Sequence, residues 1–283
     1  MKDSVFIKAP AKLNLFLNII GQNNNGYHNI RTGITFLDLY DEINISLSDI
    51  NNLSYNGPFK PSSSIYKNDI IHKVLSNVSM EKEKKVKIKI TKNIPWQAGL
   101  GSASTDAASV IKGLQKLSLI NDIDNEFLTL IGADVPACYC GQNCIATDIG
   151  NKINKDINFP KYYFVLVYPY IHLSTVKMYS KIDEYLLFNK DQNNKVSHSI
   201  NLNKNDKGND FEKIIRKENK EILNLLDFLS SIENSIFTRM TGSGSCCFVV
   251  FENKHHAKKA FDIIEEKYND YWIYLAENNI IND

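Results

Sequence analysis

One segment constrains this chain more than any other: a strand, a glycine-bearing turn and a helix in direct succession, Ile88 to Ile94, Pro95 to Gly101 and Ser102 to Leu117. Lys85-Val86-Lys87-Ile88-Lys89-Ile90 alternates strictly, which is the period of a half-buried strand. In Pro95-Trp96-Gln97-Ala98-Gly99-Leu100-Gly101-Ser102-Ala103, small residues allow the backbone close to an anion. The helix that follows starts with N–H groups that lack intrahelical partners. Ser102, Ser104 and Thr105 add hydroxyls suited to phosphate oxygens or to Mg²⁺. The segment fits a cradle for a phosphate chain, and it also fits a helix start kept small for packing. It lacks the Gly-Lys-Ser/Thr of a Walker A loop, and Gly99-x-Gly101 alone is a weak dinucleotide signal.

Four further segments carry residues capable of chemistry. In Ala9-Pro10-Ala11-Lys12-Leu13-Asn14-Leu15, Lys12 and Asn14 share one face of an apolar strand, where an unpaired ammonium would be costly. Either this is an edge strand with its polar face in water, or Lys12 pairs with an acid. Asp134, in Gly132-Ala133-Asp134-Val135-Pro136, is the natural partner, although an acid there could equally cap a turn. Gly26-Tyr27-His28 joins an aromatic ring to an imidazole, a combination that stacks on a nucleobase or simply packs a loop. Arg239-Met240-Thr241-Gly242-Ser243-Gly244-Ser245 is a turn whose glycines could bring a second backbone close to phosphate.

Around these segments the pattern alternates between strands and helices. Ile30 to Leu39, Asp41 to Leu47, Tyr162 to Tyr168, Phe237 to Met240, Cys246 to Phe251 and Trp272 to Leu275 read as strands. Asn68 to Val78, Asn125 to Ile131 (stopped by Gly132), Phe211 to Ser230 and His256 to Tyr268 read as helices. Lys152 to Phe159 is a polar connector and the best domain boundary. Asn189 to Asp210, rich in Asn, Lys and Asp, reads as a solvated loop.

Composition removes whole classes of function. With 33 Lys and Arg against 32 Asp and Glu, the net charge of +1 leaves no excess for tracking nucleic-acid phosphates or an anionic membrane. No run of about twenty apolar residues is present, and the first residues read straight into a strand. The expectation is a cytoplasmic chain with neither membrane span nor signal peptide. Five cysteines, an odd number, argue against a disulfide framework. Cys138-x-Cys140-x-x-x-Cys144 matches no standard zinc spacing, so all five read as small buried apolar residues. The Asn and Lys clusters are background from an AT-rich genome.

The five segments occur together, and in the same order, in the GHMP kinases, a family that includes galactokinase, homoserine kinase, mevalonate kinase and phosphomevalonate kinase. Pro95 to Ala108 resembles the family's Pro-x-x-x-Gly-Leu-Gly-Ser-Ser/Ala motif. Pro10 to Leu17, Gly26-Tyr27-His28 with Phe36-Leu37-Asp38-Leu39, Gly132 to Pro136 and Arg239 to Gly244 resemble one branch most. That branch phosphorylates the 2-hydroxyl of 4-diphosphocytidyl-2-C-methyl-D-erythritol in the non-mevalonate route to isoprenoid precursors. The match runs from about Ala9 to Phe251.

The resemblance implies an α+β, two-domain GHMP kinase fold, with a ribosomal protein S5 domain 2-like domain over residues 1–155 and a ferredoxin-like domain over 156–283. It implies ATP and Mg²⁺ as cofactors and a small-molecule substrate; a monomer and a weak homodimer both remain open. Lys12 and Asp134 would form the catalytic pair, Asp134 accepting the hydroxyl proton while Lys12 orients it and stabilises phosphoryl charge. Pro95, Trp96, Gln97, Ala98, Gly99, Leu100, Gly101, Ser102, Ala103, Ser104 and Thr105 would hold the triphosphate, with Asn68 near the adenine and Ser102 as a Mg²⁺ ligand. Asn14, Tyr27 and His28 would contact the cytidine diphosphate, and Tyr179 would sandwich the cytosine with His28.

Departures from that branch cluster in the loop, where the usual Gly-Gly-Gly-Leu-Gly-Gly-Gly-Ser-Ser-Asn is altered by Gln97, Ala98, Ser102, Ala103, Thr105 and Asp106. Asp106 in place of Asn adds a negative charge, which either binds Mg²⁺ or points away. Two rival readings go with the family: another small-molecule kinase such as homoserine kinase, or a catalytically idle sensor. The Tyr27-His28 block argues against the first, and retention of both Lys12 and Asp134 against the second.

Overall fold

The computed structural model describes residues 3–23, 26–62, 69–80, 84–157, 159–188 and 208–278. Its first sheet is built around a long antiparallel pair, β1 (Ser4–Gln22) and β2 (His28–Ser48). The other edge of β2 is shared: its first residues pair with β5 (Cys144–Asp148) and its last with β4 (Lys85–Thr91). β3 (Asn52–Asn56) adds parallel to β4, and β6 (Lys152–Asn154) adds to β5. One face of this sheet is covered by α1 (Ile70–Asn77), α2 (Ser102–Lys116), α3 (Asn125–Ile131) and α4 (Val135–Cys140).

The second sheet comprises β7 (Tyr163–Tyr168), β8 (Phe237–Met240), β9 (Cys247–Phe251) and β10 (Trp272–Glu277), in the order β10-β7-β9-β8. With α5 (Thr175–Phe188), α6 (Asp210–Glu218) and α7 (Lys220–Ser230) between β7 and β8, and α8 (Lys254–Lys267) before β10, this is the ferredoxin-like β-α-β-β-α-β plan. β7 and β9 are buried on both faces. Phe164, Leu166, Phe248 and Val250 pack toward the first sheet, against Ala11, Leu13, Leu15 and Leu37. Val165, Val167, Val249 and Phe251 pack toward α6, α7 and α8. This explains why the two strands read as continuous apolar runs rather than alternating ones.

β1 positions the chemistry through its irregularities. Its register with β2 shifts between Pro10 and Lys12 and again between Asn14 and Phe16. Bulges re-aim side chains, and Pro10 lacks the N–H of a regular ladder. Between the two shifts, Leu13 enters the core while Lys12 and Asn14 line the cleft.

Several expectations need correcting. Ile30 to Leu39 and Asp41 to Leu47 form one strand, because buried Asp41 finds partners and does not break it. Phe211 to Ser230 is two helices, separated where the Asn219 side chain caps α7 by accepting the Ile222 N–H at 3.0 Å. Asn209 and Asp210 belong to ordered structure rather than to the Asn189–Asp210 loop, of which residues 189–207 lie outside the described residues. α1 starts at Ile70 behind an Asp69 cap; Asn68 lies outside the described residues. The connector from Lys152 includes β6, and β3, α4 and β5 carried no clear sequence signal. Gly132 ends α3 as expected, with an extended φ of −178°.

Cys138 and Cys144 pack in the core under α2, Cys246 between the sheets and Cys247 against the C-terminal helices. Burial pushes the Cys144 and Cys246 thiols up to about 12, so they behave as apolar groups. No helix among the described residues is long and apolar enough to cross a membrane.

Candidate active site

A cleft of about 580 Å³ opens where β1, the Pro95–Gly101 loop, the turn after β8 and the start of α5 meet. Backbone hydrogen bonds hold the loop in place. Lys12 donates its N–H to the Leu100 carbonyl at 2.9 Å, and Cys246 donates to Ala98 at 3.1 Å. Thr241 joins the pieces side-on: its hydroxyl oxygen accepts the Asn14 N–H at 3.1 Å and its hydroxyl donates to the Gly99 carbonyl at 3.3 Å.

The glycines are required by close approach. Gly99 has φ of +82°, and a Cβ there would stand 2.3 Å from the Thr241 carbonyl oxygen. Gly101, with φ of +68°, is the N-cap of α2, and a Cβ there would stand 2.9 Å from Lys12 Cε. The lysine stem and the N-terminus of α2 therefore lie against each other. Of the loop residues, Gln97, Gly99, Gly101 and Ser104 line the cleft. Ala98 and Leu100 turn into the core between the sheets, Pro95 and Thr105 are buried, and Ala103 faces outward. Trp96 stands at the rim, its ring centroid 6.2 Å from that of His172.

Lys12 Nζ is buried and lies 2.9 Å from Asp134 Oδ2 and 2.8 Å from Asn14 Oδ1. Asp134 caps α4 in position only: its side chain makes no capping bond and turns to Lys12 instead. Asn14 donates from Nδ2 to the Thr32 hydroxyl at 2.7 Å, and that hydroxyl donates to the Phe16 carbonyl at 2.6 Å. This chain of hydrogen bonds fixes the Asn14 oxygen toward the lysine.

His28 and Tyr179 stack, with ring centroids 4.7 Å apart and planes 22° from parallel. Phe211 meets Tyr179 edge-on at 5.0 Å. Burial, with Asp134 as a further cause, pushes the Tyr179 phenol up to about 12, so it remains a neutral stacking surface. Tyr27 behaves differently. Its side chain is 64% exposed and lies outside the cleft lining, because its backbone closes a turn with Asn23.

Ser102 also departs from expectation. Its hydroxyl donates to Asp41 Oδ2 at 2.9 Å and accepts from Lys92, beneath α2 and away from the cleft. The hydroxyl that faces the cleft at this helix start is that of Ser104. Asp106 points the same way as Ser102, into an ion pair with Lys92. No group of three or more His, Cys, Asp or Glu among the described residues is arranged to hold a metal ion.

Sequence reasoning missed Asn209 and Thr175, and named Arg239 only as part of the glycine turn. Asn209 donates to the carbonyls of Met240 at 2.7 Å and Gly242 at 2.8 Å, and so holds the glycine turn. Arg239 reaches the Leu15 carbonyl at 2.6 Å, tying β8 to β1. Thr175 meets the Ser243 hydroxyl at 2.8 Å across the mouth of the cleft. Asn209 sits in an Asn-rich stretch where nothing local distinguishes it from its neighbours.

Comparison with known proteins settles the family. Residues 67–148 match the GHMP kinases N terminal domain, and residues 187–270 match GHMP kinases C terminal. A 4-diphosphocytidyl-2-C-methyl-D-erythritol kinase of Clostridium tetani (strain Massachusetts / E88) is 32% identical over 285 residues, covering 94% of this chain and 98% of the relative. The chain belongs to the GHMP kinase family. A kinase of the same name from Buchnera aphidicola subsp. Acyrthosiphon pisum is 36% identical over 266 residues, covering 90% of each chain. Among solved GHMP kinase structures, a 4-(cytidine 5'-diphospho)-2C-methyl-D-erythritol kinase superposes with a TM-score of 0.73 at 22% identity, covering 97% of this chain and all of the other. The L. major mevalonate kinase reaches 0.71 at 13% identity, so the two-domain fold is shared well beyond any one substrate. As a GHMP kinase the chain is an ATP-dependent enzyme that acts on a small molecule.

Proposed function

We propose that this GHMP kinase transfers the γ-phosphoryl group of ATP to the 2-hydroxyl of 4-diphosphocytidyl-2-C-methyl-D-erythritol, on the non-mevalonate route to isoprenoid precursors. One arrangement carries the reading. The Lys12–Asp134 pair, 2.9 Å apart, stands in a cleft with the glycine loop at one side and Tyr179, stacked on His28, at another. Relatives sharing about a third of their residues carry that activity in their names. Homoserine kinase resembles the chain at 13% identity, a likeness of fold alone.

In this reading Asp134 accepts the proton of the attacking hydroxyl. Lys12 donates to Asp134 and to Asn14, holds the carboxylate in place, and directs positive charge at the phosphoryl group in flight. The loop offers N–H groups at the start of α2, where an anion is favoured. Mg²⁺ would neutralise charge on the phosphate oxygens, and the Ser104 hydroxyl is the donor placed to hold it. For the base, His28 and Tyr179 supply two ring faces; admitting a ring between them requires their centroids to move to about 7 Å, twice the van der Waals spacing. Domain limits of 1–155 for the nucleotide side and 156–283 for the substrate side go with this reading, since β6 ends the first sheet at Asn154 and β7 opens the second at Tyr163.

The decisive experiment incubates purified protein with Mg-ATP and 4-diphosphocytidyl-2-C-methyl-D-erythritol and follows ADP release and product mass. Turnover of that compound, with none of homoserine, is the expected result. Failure to phosphorylate it would overturn the assignment.

A further inference from the structure

On the far side of the phosphate loop from the cleft lie four buried side chains that phosphoryl transfer does not use: Asp41, Lys92, Ser102 and Asp106. Asp41 is the hub. Its Oδ1 accepts the backbone N–H of Asn93 at 2.5 Å and of Ile94 at 2.8 Å. Its Oδ2 accepts the Ser102 hydroxyl at 2.9 Å and Lys92 Nζ. Asn93 and Ile94 immediately precede the loop, and Ser102 immediately follows it. A single carboxylate on β2 therefore fastens both ends of the loop, and Lys92 extends the fastening to Asp106, one turn into α2.

The cluster holds two carboxyls and one ammonium. Four donors surround Asp41: two backbone N–H groups, the Ser102 hydroxyl and Lys92. Asp106 differs: Oδ2 meets Lys92, but Oδ1 is buried with no partner. An ionised oxygen left so is expensive, and a proton relieves it. Burial, opposed by Lys92 and assisted by Asp41, pushes Asp106 up to about 8. Burial draws Lys92 down, but the carboxyls of Asp106 and Asp41 outweigh it, and the lysine keeps its charge. Other titratable groups on elements packed against α2 include Lys12 of β1, lying along Gly101, Cys138 of α4, whose thiol burial pushes up, and Tyr139 of α4, which donates to Gln115 at 2.8 Å.

We propose that the Asp41–Lys92–Asp106 cluster is the positioning device of the ATP phosphate loop, and that Asp106 serves it as a neutral acid. A protonated carboxyl presents one acceptor and one donor, as an amide does. With Asp106 neutral, the cluster's charges balance, and the positive end of α2 is left for the triphosphate. Ionised Asp106 would set an uncompensated negative charge one helical turn beneath the bound phosphates.

The proposal rests on the loop being the ATP site, so the test uses ATP binding alone, without the alcohol substrate. Titration calorimetry of Mg-ATP onto the wild-type protein and onto Asp106→Asn, at pH values from 7 to 9, reads it. Wild-type affinity should fall by about tenfold across that range, the drop in the binding-competent neutral fraction of an acid that titrates at about 8, while Asp106→Asn stays level. A level wild-type profile, or an equal fall in the Asn variant, would overturn the role of Asp106. Absence of ATP binding at every pH would overturn the loop assignment and the proposal with it. Circular dichroism at each pH separates loss of binding from loss of fold.

Discussion

Lys12 and Asp134 touch at 2.9 Å, yet the lysine side chain is 4% exposed and the aspartate 39%. The cation is walled in by Gly101 and Asn14, whereas the carboxylate looks into the cleft. Both side chains line the cleft, the acid the more openly. In the proposed reaction the lysine supports the acid from a buried position, where its field is strengthened.

Asp134→Asn should therefore lower kcat by about 10²–10⁴-fold, the ordinary worth of a general base, with little change in KM for ATP. The variant should still fold but melt below wild type, since it leaves the buried Lys12 ammonium with Asn14 and a neutral amide in place of its carboxylate. Steady-state kinetics beside a thermal melt checks both. A near-normal kcat would remove Asp134 from the role of base.

Tyr179→Ala should raise KM for the cytidine-bearing substrate by roughly 5- to 150-fold, because stacking a base on an aromatic ring is worth about 1–3 kcal/mol. KM for ATP should stay put. Tyr179→Phe should keep most of the affinity, since the ring face and not the phenol is used. Equal effects of Tyr179→Ala on both substrates would place the ring elsewhere than at the base.

The pH dependence of stability should carry the mark of Asp106. In the folded chain its carboxyl keeps a proton up to about 8, whereas the unfolded chain releases it near the ordinary value of 3.8. Between those limits the native state binds more protons, so stability falls as pH rises from about 4 to about 8 and then levels. Lys92, raised above its ordinary value of 10.5, loses stability only at still higher pH. Melting temperatures from pH 5 to pH 8 should decline more steeply for wild type than for Asp106→Asn. Parallel declines would mean that Asp106 is ionised throughout.

Gly99→Ala should damage stability and ATP binding together. The new Cβ would stand 2.3 Å from the Thr241 oxygen and 3.1 Å from that of Gly244, at a φ of +82°. The strained backbone alone costs about 1–3 kcal/mol. Chemical denaturation and KM for ATP report the two effects, and a variant as stable as wild type would show that the loop and the Thr241 turn are not in contact.

Asn209→Ala leaves two buried carbonyls, of Met240 and Gly242, without their donor. The cost should be about 1–3 kcal/mol per orphaned group, with kcat/KM falling more than stability alone explains, because Gly242 abuts Gly99 and Asn14. Asn209→Asp, which keeps the shape but sets a carboxylate against those two carbonyls, should cost more than Ala.

The sequence by itself determined what depends on local spacing. The alternation of β4, the apolar runs of β7 and β9, and the succession of strand, glycine turn and helix at α2 are written in neighbouring residues, and all are present where the pattern put them. The order of motifs likewise carried the family, and with it the fold. Local spacing could not show that Asn219 splits a helical run, since its effect depends on a side chain turning back to its own backbone.

Tertiary structure alone decided which polar groups face the cleft. Ser102 and Ser104 are two residues apart in one helix start, about 200° around its axis, so one hydroxyl meets Asp41 beneath α2 and the other lines the cleft. Tyr27 and His28 are adjacent, yet alternation along a strand start sends one ring to solvent and the other onto Tyr179. Asn14 meets Thr241 across 227 positions, and Asn209 reaches a turn that its own neighbourhood never announces. Such contacts depend on how two sheets pack over one core, and no periodicity within either sheet contains that distance. The charge of Asp106 is the clearest instance: in sequence it is an acid beside a phosphate loop, and burial beside Lys92, with one oxygen unpartnered, turns it into a neutral group facing away.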